Sequence, residues 1–347
     1  MTTTIRISAV GDVLMWHRQI ASAKRADGTF SFDAMFRDVA PVLRNADLTI
    51  GNLETTLSGR EAQYQKRNPK NHFPMFNCPD ELAGALKRSG FNVLTTANNH
   101  CLDRGERGLL RTLRVLDHYH LAHTGTFRTF DESRRLLIRN VKGIKVGILS
   151  YTYGTNGNPI PKGKPYLVNL ISTAKMHYDI RRVRSAADLV IVALHFGQEF
   201  HRYPNARQKS LVNSAFLYGA DVVLGAHPHV LQPMQVRMVK DETGASKKRF
   251  VIYSLGNFIS DRMFNSLHSD SGVIVNLTVQ KNAAGQTSIA RIGYVPTWVH
   301  RRPIGQRLHF RVVPVRKALS SKDSRFTKRD LQTMQTVLRN TTSHLHL

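Results

Sequence analysis

The chain has 347 residues, 41% of them hydrophobic, and carries 50 Lys plus Arg against 24 Asp plus Glu, a formal net charge of +26. That length and apolar share suit a large globular core, while two cysteines exclude a disulfide framework and neither end carries an apolar run long enough to span a bilayer. The charge favours polyanionic partners, although basic residues this scattered are accounted for equally well by a solvated surface.

Taken in chain order, β-branched apolar runs at 5–10, 48–50, 93–96, 145–150, 189–194, 222–224 and 250–254 read as strands. Helical spacing separates them at 80–89 (Leu82, Leu86), 109–119 (Leu113, Leu116) and 208–218 (Leu211, Phe216). That alternation predicts an α/β fold with a largely parallel sheet. Residues 271–280 and 287–295 alternate apolar and polar around Ala284-Gly285 and read as antiparallel strands, which makes the sheet mixed. Residues 60–77 and 153–165 lack periodicity and read as loops, the second beside the candidate active face. From about 315 the chain turns polar and basic, with one amphipathic helix at 328–339. The expected organisation is therefore a core over 1–314 and an appended basic tail over 315–347. No charged and apolar leader precedes the first strand, so the chain reads as cytoplasmic, or as membrane-associated or exported if a further segment precedes it.

In an open α/β sheet, ligands bind beyond the carboxyl ends of the strands. Those positions here hold Asp12, Asn52 with Glu54, Asn98-Asn99-His100 with Asp103, His195 with Gln198-Glu199, His227-Pro228-His229, and Asn257. Pro228 is expected to keep its neighbours extended, so that both imidazoles project from one side of the backbone. Mixed carboxylate, amide and imidazole donors suit Mn, Zn or Fe(II), and two such ions sharing a carboxylate make a two-metal hydrolytic site. Each residue alone has a plainer explanation: a helix cap for Asp12, turns for Asn99 and Asn257, a core polar group for His195, a salt bridge for Glu54. Their convergence on six strand ends favours metal binding.

These motifs, together with Leu194-His195-Phe196-Gly197 and Tyr253-Ser254-Leu255-Gly256-Asn257-Phe258, resemble in order the poly-γ-glutamate capsule-synthesis family of the CapA/PgsA type. The similarity runs over about 5–258, and Tyr294-Val295-Pro296-Thr297-Trp298-Val299 also resembles a family ending. The family is similar in fold to calcineurin-like metallophosphoesterases, which implies an α/β/β/α sandwich with mixed sheets. The resemblance implies that Asp12 and His229 hold one ion, that Asn99, His195 and His227 hold a second, and that Glu54 bridges them. His100 corresponds to the histidine that contacts a scissile phosphate or protonates the leaving group, with Asp103 orienting it. Two departures stand out: Leu14 sits where an Asp-x-His pattern has histidine, and Glu54 is one methylene longer than the usual aspartate. The implied function is a metal-dependent hydrolase of capsule biosynthesis or processing, using one or two Mn, Zn or Fe ions. Its implied partners are anionic poly-γ-glutamate or a phosphorylated substrate, together with synthase or exporter subunits. A non-catalytic polyanion-binding accessory subunit is the main alternative. A nuclease or phosphodiesterase is a weaker one, because the chain lacks a nucleic-acid-binding module.

Overall fold

The computed structural model describes residues 2–321 and 323–345. Period-two alternation in the first strand, Thr3–Val13, sends Ile5, Ile7 and Ala9 to one face, where they meet Ile148, Ile191, Val222 and Ile252. Among the described residues the strands form an eight-stranded sheet and a six-stranded sheet, packed across this shared core. In the larger sheet, Thr3–Val13, Leu48–Leu53, Val93–Thr95 and Ala122–Thr124 run parallel. On its other side runs an antiparallel series of Ser271–Lys281, Thr287–Ile304 and Arg307–Pro314, and the short strand Asn257–Ile259, parallel to the end of Thr3–Val13, is the eighth. The smaller sheet has a parallel centre of Ile144–Thr152, Leu189–His195, Val222–Ala226 and Ser246–Leu255. Antiparallel strands Leu137–Val141 and Leu231–Lys240 close its two edges.

Helices cover both outer faces. Ile20, Met35, Leu43, Leu82 and Leu86 pack on the larger sheet, and Met176, Ile180, Val183, Leu211 and Phe216 on the smaller one. The result is the expected four-layer α/β/β/α sandwich with mixed sheets. Parallel strands fed by these helices must all end on the same edge of their sheet, which gathers the polar strand ends in one place.

Several elements lie outside the sequence reading. Residues 60–77 contain a short antiparallel pair, Gln65–Arg67 with Pro74–Phe76, too brief to show a period. The strand Leu231–Lys240 is a half-exposed edge and contains Pro233, features that mask a strand in the sequence. The helix Thr173–Ala186 is capped by Ser172 and buries Met176, Ile180 and Val183, a 3.6-residue stripe that was there to be read. At the C-terminal end, helices Val315–Ser320 and Lys328–Thr342 pack Val315, Ala318, Met334 and Val337 against Trp298, Val313 and Phe326. This segment therefore has an apolar cluster of its own on the edge of the larger sheet.

Candidate metal centre

Strand register brings the first polar residues together. Asp12 pairs laterally with Asn52 on one side and Asn257 on the other. Gly11 makes the approach feasible, since a Cβ there would sit 1.9 Å from the Gly256 carbonyl oxygen, the acceptor of the Asp12 N–H. In the smaller sheet His195 lies in register with Ala226, so His227 begins where the strand ends. The His-Pro-His segment is not extended as expected. His227 has φ 97° and His229 φ 58°, left-handed conformations that turn both rings inward after the strand Val222–Ala226 stops.

Asp12, Glu54, Asn99, His195, His227 and His229 are all buried, and the fold brings them into one cluster. Ligand atoms of Asp12, Glu54 and His195 lie within 4.8 Å of one another, as do those of Glu54, His227 and His229. Glu54 is thus common to both triads, and the imidazoles of His195 and His229 both lie near Asp12 and Glu54. His229 Nδ1 is 3.3 Å from Asp12 Oδ2 and 3.0 Å from Asn257 Oδ1, so it also contacts the Asp12 side. Asn52 Nδ2 donates to Asp12 Oδ1 at 2.8 Å and lies 3.3 Å from His195 Nδ1, while His195 Nε2 lies 2.8 Å from Asn99 Oδ1.

Glu54 is the centre of the electrostatics. Its backbone N–H donates to the Val13 carbonyl at 3.0 Å, and its side chain is fully buried. His195 Nε2 comes to 3.2 Å from Oε1, yet neither carboxylate oxygen has a hydrogen-bond partner among the described residues. Burial, then the neighbouring Asp12 and Glu199 charges, push Glu54 well above the usual carboxylate range. Burial also pulls His195 down to about 3 and, with the neighbouring imidazoles, holds His227 well below its ordinary value. At Asp12 burial is outweighed by the bond and charge of His229, and the carboxyl is lowered; His229 is correspondingly raised. A buried carboxylate without a donor, beside neutral imidazoles of which His227 leaves Nδ1 unpartnered, is a donor set suited to a divalent cation.

His100 and Asp103 form a second, adjoining unit in the turn after Val93–Thr95. His100 Nδ1 lies 2.7 Å from Asp103 Oδ2, and that carboxylate also accepts from the Phe76 N–H at 2.7 Å and from Asn158 Nδ2 at 3.3 Å. Sequence reasoning missed Tyr153, Asn156 and Asn158 as individual residues. Asn156 Nδ2 lies 3.4 Å from His100 Nε2, its Oδ1 accepts from Asn99 Nδ2 at 3.2 Å, and the Tyr153 ring sits 4.6 Å from that of His227. The Asn156-Gly157-Asn158 turn signal was visible, but nothing local says which histidine such a turn approaches. Leu14 is buried with Phe76 and Met263. The wall it helps to build encloses a cavity of about 400 Å³ lined also by His100, His229, Glu199, Arg67 and Arg262.

The fold has a solved counterpart. NAD nucleotidase (NadN) of Haemophilus influenzae is similar to the whole chain, with a TM-score of 0.52 at 14% sequence identity, covering 100% of this chain and 64% of that one. The layered fold, with a buried carboxylate–imidazole cluster at its strand ends that could hold metal, is a metallophosphoesterase-like fold. The family described as bacterial capsule synthesis protein PGA_cap matches residues 6–262, and the chain belongs to it. It is 31% identical over 268 residues to capsule biosynthesis protein CapA of Bacillus anthracis, covering 74% of this chain. It is 28% identical over 297 residues to PGA biosynthesis protein CapA of Bacillus subtilis, covering 82% of this chain and 70% of that one. The matched region spans 60% of the Bacillus anthracis relative's length. Among the described residues no helix is long and apolar enough to cross a membrane.

Proposed function

We propose that this protein is a metal-dependent hydrolase of the phosphoesterase type, acting on an anionic polymer or a phosphorylated intermediate of poly-γ-glutamate capsule biosynthesis. The observation that carries the reading is Glu54: a fully buried carboxylate, without a hydrogen-bond donor among the described residues, at the common corner of two triads of potential ligands. Asp12, Glu54, Asn99, His195, His227 and His229 would hold one or two Mn, Zn or Fe ions. When bound, such an ion supplies Lewis-acid activation of water and neutralises charge on the phosphoryl oxygens. Asp103 engages Nδ1 of His100 and leaves Nε2 to carry a proton toward the substrate. In the reaction, water oxygen bonds to phosphorus, the bond to the leaving oxygen breaks, His100 Nε2 protonates that oxygen, and the water gives up a proton to solvent.

A polyanionic substrate is supported by the charge distribution. Arg262, Arg301, Arg302 and Arg329 line one cleft of about 530 Å³ beside the strand Thr287–Ile304; Arg262 and Arg301 are paired there with Asp270, which leaves Arg302 and Arg329 as the guanidinium groups without a carboxylate partner among the described residues. Guanidinium groups so grouped suit carboxylates or phosphates. A second reading, a non-catalytic polymer-binding accessory subunit, is favoured by Leu14, which sets an apolar side chain where the phosphoesterase pattern has a metal ligand.

Elemental analysis of freshly purified protein, followed by a phosphatase and phosphodiesterase screen, tests the proposal. The expected result is one to two equivalents of metal, lost in His227→Ala, and phosphoester hydrolysis abolished in His100→Ala. Metal binding with no turnover on any ester would select the accessory reading. Absence of metal in wild type, unchanged by His227→Ala, would overturn both the metal site and the hydrolase.

A further inference from the structure

We propose that the cavity beside His100 and His229 is a substrate subsite for a planar aromatic group. The proposal rests on the phosphoester-hydrolase reading and adds the kind of group that sits next to the phosphate. The cavity, about 400 Å³, falls in the size range of small-ligand sites. Its wall includes Leu14, Trp16, Phe76, Phe200, Met263 and Phe264. Two runs of edge-packed or tilted rings lead through it to the histidines. Trp16 packs on Phe76 at 4.9 Å and Phe76 on His100 at 4.7 Å. Phe264 packs on Phe200 at 4.6 Å, and Phe200 lies 6.0 Å from His229.

Two further observations separate a ligand site from ordinary core. Phe264 is 82% exposed, and Phe73, on the same cavity, is 46% exposed, so water covers rings that a flat ligand would cover better. Phe200 and Phe264 also both have positive φ, 63° and 49°, where bulky residues are rare and the backbone is strained. Strain at two touching rings, the outer of them exposed, is unfavourable for the empty fold and becomes useful when a ring stacks there. Leu14 belongs to the same construction, because an apolar side chain at this position extends the wall to the edge of the cluster. A free carboxylate chain suits this cavity poorly. Its cations are Arg67 and Arg262, opposed by Glu199, and Arg262 is already bound to Asp270 at 2.7 Å. The anionic remainder of a substrate fits Arg302 and Arg329 in the cleft beyond Arg262 instead, since Arg301 is bound to Asp270 as Arg262 is.

Tryptophan fluorescence reads the cavity, because the chain has two tryptophans and Trp298 is buried in the C-terminal cluster. The full-length protein, with and without Mn²⁺, is titrated with phenylphosphonate, methylphosphonate and neutral phenol. We expect phenylphosphonate to quench Trp16 and to bind about tenfold more tightly than methylphosphonate, as one stacked ring allows. Phe264→Ala, a change at an exposed side chain, should erase most of that preference without altering methylphosphonate affinity, and Phe264→Tyr should retain it. Equal affinity for the two phosphonates overturns the aromatic subsite. Phenol binding at Trp16 with neither phosphonate bound keeps the subsite and removes the phosphoester reading. No response to any of the three probes by folded wild-type protein overturns the subsite outright.

Discussion

His100 and Asp103 are three residues apart and joined through Nδ1 and Oδ2 at 2.7 Å, with both side chains sealed from solvent. The same Asp103 oxygen accepts the Phe76 N–H, and its other oxygen accepts from Asn158, so the carboxylate is anchored from three segments of chain. An anchored carboxylate fixes the ring orientation of its histidine. Asp103→Asn should therefore lower kcat on bis-p-nitrophenyl phosphate about 10–100-fold, and His100→Ala about 10²–10⁴-fold. Steady-state kinetics on both variants check this; equal, small effects would show that His100 does not act on the ester.

Glu54→Gln separates the cost of the site from its use. In chelator the substitution removes a carboxyl whose ionisation is opposed by burial and by the Asp12 and Glu199 charges, and stability should rise by about 1–3 kcal/mol. The same variant should lose the increase in thermal midpoint that wild type shows on addition of Mn²⁺ or Zn²⁺. Differential scanning fluorimetry with and without metal measures both effects.

Acid sensitivity follows from the buried imidazoles. In the unfolded chain His195 and His227 take protons near pH 6.5, whereas folded His195 stays neutral down to about 3 and His227 is also strongly lowered. The unfolded state then binds more protons below pH 6.5, so stability is full above that pH and falls as pH drops, by about 1.4 kcal/mol per unit for each such group. At His229 burial lowers and the Asp12 bond and charge raise, with a net rise, so its contribution is present at low pH and lost as pH climbs through the folded value. Urea midpoints in chelator from pH 7 to 4 should fall more steeply for wild type than for the double variant His195→Gln, His227→Gln.

The arginine cleft should behave as an electrostatic site. Arg302→Glu combined with Arg329→Glu should weaken binding of fluorescent poly-γ-glutamate at low salt by about tenfold or more and flatten its salt dependence. Catalysis on a small ester should be unchanged. Fluorescence anisotropy at two ionic strengths tests it, and unaltered affinity would place the polymer elsewhere on the surface.

Leu14→His restores the Asp-x-His spacing. In chelator the variant should be less stable by about 1–3 kcal/mol, since the new imidazole enters an apolar cluster with Phe76 and Met263. With metal it should bind a larger number of equivalents than wild type, measured by inductively coupled plasma analysis. An unchanged stoichiometry would mean that the position faces away from the ligand set.

Much of the architecture was legible because its signals are local. The parallel strands are short β-branched runs, and the observed elements extend several of them, as in Thr3–Val13 against the expected 5–10. The half-exposed edge strand Leu231–Lys240 was not legible, since one face meets water and its composition follows that face. At the site, each candidate residue could be picked out from its position after a strand. The contributions of Asn156, Asn158 and Tyr153 could not, because they come from a loop more than fifty residues away from His100 whose approach depends on how the two sheets pack.

Residue type and strand-end position alone determined that carboxylate, amide and imidazole groups would collect on one edge of an α/β sandwich. That much follows from hydrophobic periodicity and the shared direction of parallel strands. Tertiary structure decided which atoms meet: register sets Asp12 between Asn52 and Asn257, and sheet packing leaves Glu54 without a hydrogen-bond donor among the described residues. It also decided that Leu14, Trp16, Phe76, Phe200 and Phe264, from four separate segments, share one wall beside His100. The physical reason is that a missing partner and an enclosed volume are properties of everything around a residue, and no stretch of chain carries them by itself.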